Sequence, residues 1–308
     1  MDLVTWQVAS LWAAVALYAV STVLFVAAAV FRRNGRWEGS ALALATAGLL
    51  PHGIALLLRW AEVGHGPYIS FYEVASSDTW VAVATFAFVA RRYPRLRLAG
   101  MAVLPVSFLL IGAAVFAPHE GRELLPILRS YWLVLHVTFA KLAYGPYLLG
   151  MGAAILYLWT LRAPQPPPGK AAGTQLRASL AGRGSTLPSH AGKWTGGLDP
   201  RTRLSDPAVL DELSYRLVAF GFLMHAVMIF AGAIWANQAW GSYWSWDPIE
   251  TWSLVSWICF AVVLHLRIIH GWRGTRAALG TVGAVIVVIF AFFAIPFLGG
   301  SHQILLGF

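Results

Sequence analysis

Eight stretches of apolar residues, each near the roughly 20 that a helix needs to cross a bilayer, constrain this chain more than anything else in it. They fall near residues 7–31, 40–60, 72–90, 98–117, 131–161, 213–236, 252–270 and 277–297. Inside hydrocarbon every backbone N–H and C=O must find a partner within its own segment or in a closed barrel. Runs of this length therefore predict helices, and the expected fold is all-α: a polytopic integral membrane bundle of about eight transmembrane helices. The fifth run is longer than a bilayer requires and is expected to tilt or project beyond it. Of the 308 residues 58% are hydrophobic and only 11% charged, which excludes an ordinary soluble domain.

The formal net charge of +9 would suggest a nucleic-acid partner in a soluble protein. Here the positive-inside rule accounts for it, and no nucleic acid is expected. The connections 32–39, 91–97, 162–212 and 271–276, with their adjoining helix ends, hold 18 of the 22 Lys and Arg. The opposite side holds Arg59, Arg122 and Arg129, and Lys141 falls within the fifth run. This asymmetry places both termini outside the cytoplasm. Residues 1–31 lack a basic start and a cleavage pattern, so the first run is expected to remain as a span. The single cysteine, Cys259, lies in an apolar run and rules out an internal disulfide or a CxxC site. Residues 163–207 open APQPPPGK and carry few large apolar side chains. They read as a flexible cytoplasmic linker between helices one to five (1–162) and helices six to eight (208–308).

One stretch stands out within this frame. Residues 235–257 read WANQAWGSYWSWDPIETWSLVSW and contain Trp235, Trp240, Trp244, Trp246, Trp252 and Trp257. Gly241, Ser242 and Asp247-Pro248 interrupt it, so its middle is expected to be a loop or short broken helices on the outer face. An interfacial belt uses one or two aromatics per crossing, fewer than are present here. Indole faces can form an apolar wall for a large flat ligand, with Asn237, Gln238, Asp247 and Glu250 as polar handles. The alternative is an aromatic re-entrant loop that only anchors the protein at the bilayer surface. As anions, Asp247 and Glu250 are expected to hold the loop, for example by capping the helix that starts near Ile249. Glu73 and Asp78 are expected to act similarly in the other outer segment.

Topology sorts the histidines. His136 falls at the outer end of the fifth span, and His302 five residues after the eighth runs out. Two imidazoles approaching a flat ligand from opposite sides is the arrangement that bis-His ligation of haem iron requires. A histidine at a helix end can equally be an interfacial polar residue. His52, His225 and His265 lie within spans, where an ionisable group is a functional hypothesis by default. For His52 the ligand and structural readings both stand, and His225 is read as a hydrogen bond to a neighbouring helix. His65, His119, His190 and His270 read as solvated or interfacial. Lys141 is expected to snorkel to the surface or to neutralise a propionate of a bound haem.

The segment WGSYWSWDPIETW resembles the WWD signature of the haem-handling cytochrome c biogenesis proteins. Three more segments are similar to their CcsA (ResC) branch, which belongs to system II. These are GHGPYISFYEVASSDTW at 64–80, against GHxPxxNxYE, LHVTFAKLAY at 135–144, and LHLRIIHGWRG at 264–274. The resemblance covers most of the chain outside 163–207. It implies haem b (iron protoporphyrin IX) seated on a platform of Trp235, Trp240, Trp244, Trp246, Asp247 and Trp252, with His136 and His302 as axial ligands. It also implies an intramembrane ligand at His265, whose usual opposite ligand belongs to the partner protein CcsB; His52 is a second candidate within the chain. Where the family often has a basic residue this chain has Ile249, which leaves the propionate counter-charge unassigned and draws attention to the outer arginines Arg59, Arg122 and Arg129.

The function implied is that of a haem-handling subunit of the cytochrome c synthase, or haem lyase, in the bacterial cytoplasmic membrane. Its expected partners are a CcsB-type membrane protein, apocytochrome c and thiol-reducing proteins that keep the CxxCH cysteines reduced. Two rivals come from other classes: a haem transporter or exporter, and a b-type haem subunit that oxidises quinol.

Overall fold

The computed structural model describes residues 2–31, 36–116, 125–162 and 207–298. The proposed linker at 163–207 therefore lies outside the described residues apart from its last position, as do His119, Arg122, His190 and His302. Eight long helices carry the described chain: α1 (Leu3–Val30), α2 (Arg36–Val63), α3 (Phe71–Arg92), α4 (Gly100–Phe116), α5 (Tyr131–Arg162), α6 (Pro207–Trp240), α7 (Pro248–Ile269) and α8 (Thr275–Leu298). Two short 3-10 turns, Pro94–Ala99 and Pro126–Leu128, complete it, and no strand occurs among the described residues. The protein is an all-α polytopic membrane bundle.

Seven of these helices are long and apolar enough to cross a membrane. The exception is α3, which carries Glu73, Ser76, Ser77, Asp78 and Thr79 in its first half, all buried. The helix keeps its place because those groups find partners inside the bundle. Glu73 meets Arg59 of α2 at 3.1 Å, the Ser76 hydroxyl lies 3.0 Å from His52 Nε2, and Lys141 of α5 donates to Asp78 at 2.7 Å. Ser70 caps the helix and exchanges hydrogen bonds with Glu73 in a capping box. Two of these partners come from α2 and one from α5, so α3 is the polar pivot around which the first half of the chain packs.

At 1.5 Å per residue, α5 (32 residues) and α6 (34 residues) run about 48 and 51 Å, well beyond a hydrocarbon core of about 30 Å. The sequence foretold the overrun for α5 only. In α6 the helix continues to Trp240, past the expected end at 236, so Trp235 and Trp240 stand on a helix and the non-helical break is confined to residues 241–247. These two helices form the most extensively packed pair in the bundle. Close approach explains it: a Cβ on Gly221 would fall 2.7 Å from the Tyr147 ring, and Ser214 donates to the Gly150 carbonyl at 2.9 Å. Tyr147 in turn stacks on Phe260 of α7, centroids 3.6 Å apart, within a core that includes Val218, Leu264 and Val285. A second core joins α1 to α4 around Tyr18, Phe25, Phe86 and Ile111.

Both ends of α6 are fastened. At one, Arg267 of α7 pairs with Asp211 at 2.9 Å and lies over the Tyr215 ring, while Asp211 also accepts the Gly274 N–H that precedes α8. At the other, the Trp235 indole N–H donates to the Ile127 carbonyl at 3.2 Å, within a small cluster of Ile69, Leu128 and Leu133.

Candidate functional site

A cavity of about 240 Å³ lies where α3, α5, α6, α7 and α8 meet the 241–247 break. Its wall is largely apolar and aromatic, and Trp235, Trp244 and Trp252 all contribute to it. Trp252 is braced edge-on by Phe290 of α8 at 5.2 Å. Trp240 and Trp246 stand behind this wall. Trp240 meets Trp235 edge-on at 4.9 Å, and Trp246 meets Trp244 at 5.8 Å. Trp246 is 69% exposed and has a left-handed backbone (φ 60°), an uncommon state for a bulky residue outside a turn. The six tryptophans therefore do not form one surface: three line the cavity, two back it, and Trp257 stacks on Phe222 deeper in the bundle.

The carboxylates do the structural work expected of them. Asp247 caps α7 by accepting the Ile249 N–H at 2.9 Å and does not line the cavity. Glu250 accepts from the Ser245 backbone N–H at 2.7 Å and from its hydroxyl at 3.1 Å, both on Oε2. Its other oxygen, Oε1, is buried without a hydrogen-bond partner, as is the Trp244 indole nitrogen; both residues line the cavity. Both atoms are sealed from solvent, so neither is presented to the cavity as a contact for a ligand. Gln238, read as a polar handle, instead accepts from the Ser130 hydroxyl at 2.9 Å. Tyr68, outside the spans, also lines the wall. Burial first, and then the Glu73 carboxylate, push its phenol above the ordinary range, so it stays a neutral donor.

His136 lines the same cavity from α5. Its Nδ1 lies 2.9 Å from the Met228 carbonyl of α6. A carbonyl oxygen only accepts, so Nδ1 carries the proton and the lone pair resides on Nε2, the tautomer a metal ligand requires. The other histidines are placed differently. His52 is fully buried, with Nδ1 3.2 Å from the Tyr18 hydroxyl and Nε2 3.0 Å from Ser76, which engages both nitrogens between α1, α2 and α3. His225 is fully buried with Nδ1 3.4 Å from the Tyr147 hydroxyl of α5, the neighbouring-helix bond expected of it. His265 is exposed on α7, its ring 5.9 Å from that of His270. His65 differs from expectation: it is buried and bonds the Gly66 carbonyl at 2.9 Å. Among the described residues no three His, Cys, Asp or Glu side chains converge as a metal cluster. A porphyrin-held iron needs only one or two protein ligands.

Two cations expected to serve a ligand's carboxylates are already neutralised. Lys141 does not snorkel, because Asp78, 2.7 Å away, meets its ammonium at depth. Arg59 is buried between Glu73 and Glu62, at 3.1 and 3.3 Å. Arg129 is exposed and forms no ion pair among the described residues. Sequence reading missed the supports of His136, namely Met228 and Gly232, and the Asp78–Lys141 pair. The pair had a signal, two opposite charges within predicted spans. The Met228 carbonyl had none, since every residue has one.

Comparison with known proteins gives a consistent result. Residues 9–302 match the family model described as cytochrome C assembly protein. The chain is 39% identical over 254 residues to the cytochrome c biogenesis protein CcsA of Parasynechococcus marenigrum, covering 80% of each. It is 36% identical to the CcsA of Gloeobacter violaceus, covering 94% of each, and 32% identical to that of Cyanophora paradoxa, covering 93% of this chain. Among solved structures, the cytochrome c haem lyase CcmF shares the fold with a TM-score of 0.61 at 15% identity. The match covers 96% of this chain, which spans about half (51%) of that one.

Proposed function

The chain belongs to the cytochrome c assembly protein family and serves cytochrome c biogenesis; from that premise we propose that it is the haem-holding subunit of a cytochrome c synthase. The observation that carries the reading is His136, an imidazole whose lone pair resides on Nε2, in the wall of an indole-lined cavity. Haem b is the cargo. At about 240 Å³ the cavity is smaller than the roughly 300–1,000 Å³ typical of pockets that enclose a drug-sized ligand. It suits one side of a macrocycle, with the rest left outside for a second substrate to reach.

In this reading His136 supplies one axial ligand, and His302, after α8, supplies the other. Trp235, Trp244 and Trp252 give the flat apolar wall and exclude water, while Trp240, Trp246 and the Asp247 cap hold that wall in shape. Arg129 is the counter-charge for a propionate, since Lys141 and Arg59 are engaged. Two cysteine thiols of an apocytochrome CxxCH motif then add across the two vinyl groups, each S–H hydrogen ending on a vinyl carbon. The chain's own contribution is positioning and shielding. His265, facing out of the bundle near the inner end of α7, suits a ligand pair completed by another membrane chain of CcsB type. Thiol-reducing proteins keep the apocytochrome ready. The site faces outward across the bacterial cytoplasmic membrane, with both termini on that side and 163–207 as the cytoplasmic linker. A quinol-oxidising b-type subunit has less support, because both nitrogens of His52 are engaged by Tyr18 and Ser76.

The test is co-expression with a CcsB-type partner and an apocytochrome, read by covalent haem on the apocytochrome and by the reduced-minus-oxidised spectrum of the purified protein. Wild type is expected to give covalent haem, and His136→Gly to lose both the product and the spectrum. No covalent haem from wild type, or an unchanged spectrum in His136→Gly, would overturn the reading.

A further inference from the structure

The Met228 carbonyl that His136 bonds is not a spare one. In an α-helix the carbonyl of residue i accepts the N–H of residue i+4, so Met228 already serves Gly232 within α6. A helical Cβ tilts toward the helix N-terminus, so the side chain at i+4 normally lies over the carbonyl of residue i and screens it. Residue 232 has no side chain. A Cβ built there would fall 2.6 Å from His136 Nδ1 and 2.9 Å from its Cε1, closer than real Cβ contacts. The two observations are one device: the missing methyl leaves room for the imidazole and exposes the acceptor that fixes its tautomer.

We propose that Gly232 is a positioning residue for His136, the absence of its side chain letting Nδ1–H reach the Met228 carbonyl so that Nε2 faces the cavity as a basic, pre-oriented ligand. The inference rests on the haem-ligand reading of His136. An N–H···O=C bond on the far nitrogen raises the basicity of the ligating one and fixes the ring plane, and losing such support typically costs 10- to 100-fold in metal affinity. A more basic imidazole favours ferric over ferrous iron, so losing the bond moves the midpoint potential upward.

Gly232→Ala, purified in detergent with haem supplied in limiting amounts, is compared with wild type and with His136→Ala. The variant is expected to bind haem about 10-fold more weakly and to show a more positive midpoint potential. A midpoint that is unchanged or lower overturns the proposal, whether or not affinity falls, because weaker binding alone marks only a steric clash. If Gly232→Ala fails to fold, the proposal is still exposed in the wild-type protein without haem. There ¹⁵N-histidine NMR, with the His136 signal assigned by its loss in His136→Ala, reads which nitrogen is protonated. A proton on Nδ1 supports the device and a proton on Nε2 overturns it. Failure of the underlying reading looks different: His136→Ala would keep the haem spectrum whatever the NMR result.

Discussion

Lys141 and Asp78 meet at 2.7 Å with only 13% and 8% of their side chains exposed, so both charges are held away from water. A pair of this kind adds little net stability, since desolvation offsets the attraction, yet removing one partner strands the other. Asp78→Asn or Lys141→Met is therefore expected to destabilise the protein by about 3–5 kcal/mol, seen as a lower unfolding temperature in detergent. The double replacement Asp78→Leu with Lys141→Met is expected to regain most of that loss; a double variant as unstable as the sum of the singles would refute the pairing. The tryptophans divide in the same manner. Trp252→Ala, which opens the cavity wall, is expected to lower haem content severalfold, whereas Trp246→Ala, at 69% exposure, is expected to leave it within about twofold. Spectra of the two purified variants decide it. The sequence named both tryptophans as equals, because a run of indoles does not say which face each presents. It put His136 near one end of the fifth span, where the residue lines the cavity, because the end of a span is fixed by counting residues.

At the scale of the element, hydropathy located every long helix among the described residues, and for an evident reason: a bilayer imposes a length and a composition together. Where it fell short, local chemistry misled it. The apolar run gave an expected helix end at 236, yet α6 continues to Trp240. There Gln238 is taken up by Ser130 and Trp235 by Ile127, long-range partners that a local reading cannot supply. The third helix shows the converse. Its buried Glu73 and Asp78 are tolerable only because Arg59 and Lys141 await them on α2 and α5. In a glycosylation-mapped insertion assay, α3 (Phe71–Arg92) alone is expected to insert poorly, and α8 (Thr275–Leu298) alone to insert efficiently. Equal insertion of both would contradict the dependence of α3 on its neighbours.

For the whole molecule, the Lys and Arg distribution makes a prediction about sidedness. Single cysteines placed in a Cys259→Ala background at Gly64 or Gly241 are expected to react with an impermeant maleimide added to intact cells. Cysteines at Gly271 or Gly274 are expected to react only after lysis. The reverse pattern would turn the protein over and remove its cavity from the outer face. Within that frame α6 is pinned twice, by Asp211 to Arg267 at one end and by Trp235 to the Ile127 carbonyl at the other. It carries the Met228 acceptor and the Gly232 gap between those pins. A rod clamped at both ends does not swing, so the Met228 acceptor and the Gly232 gap hold a fixed place in the cavity wall. The register of that wall against α7 is left to the seven residues 241–247, which Glu250 ties back through Ser245.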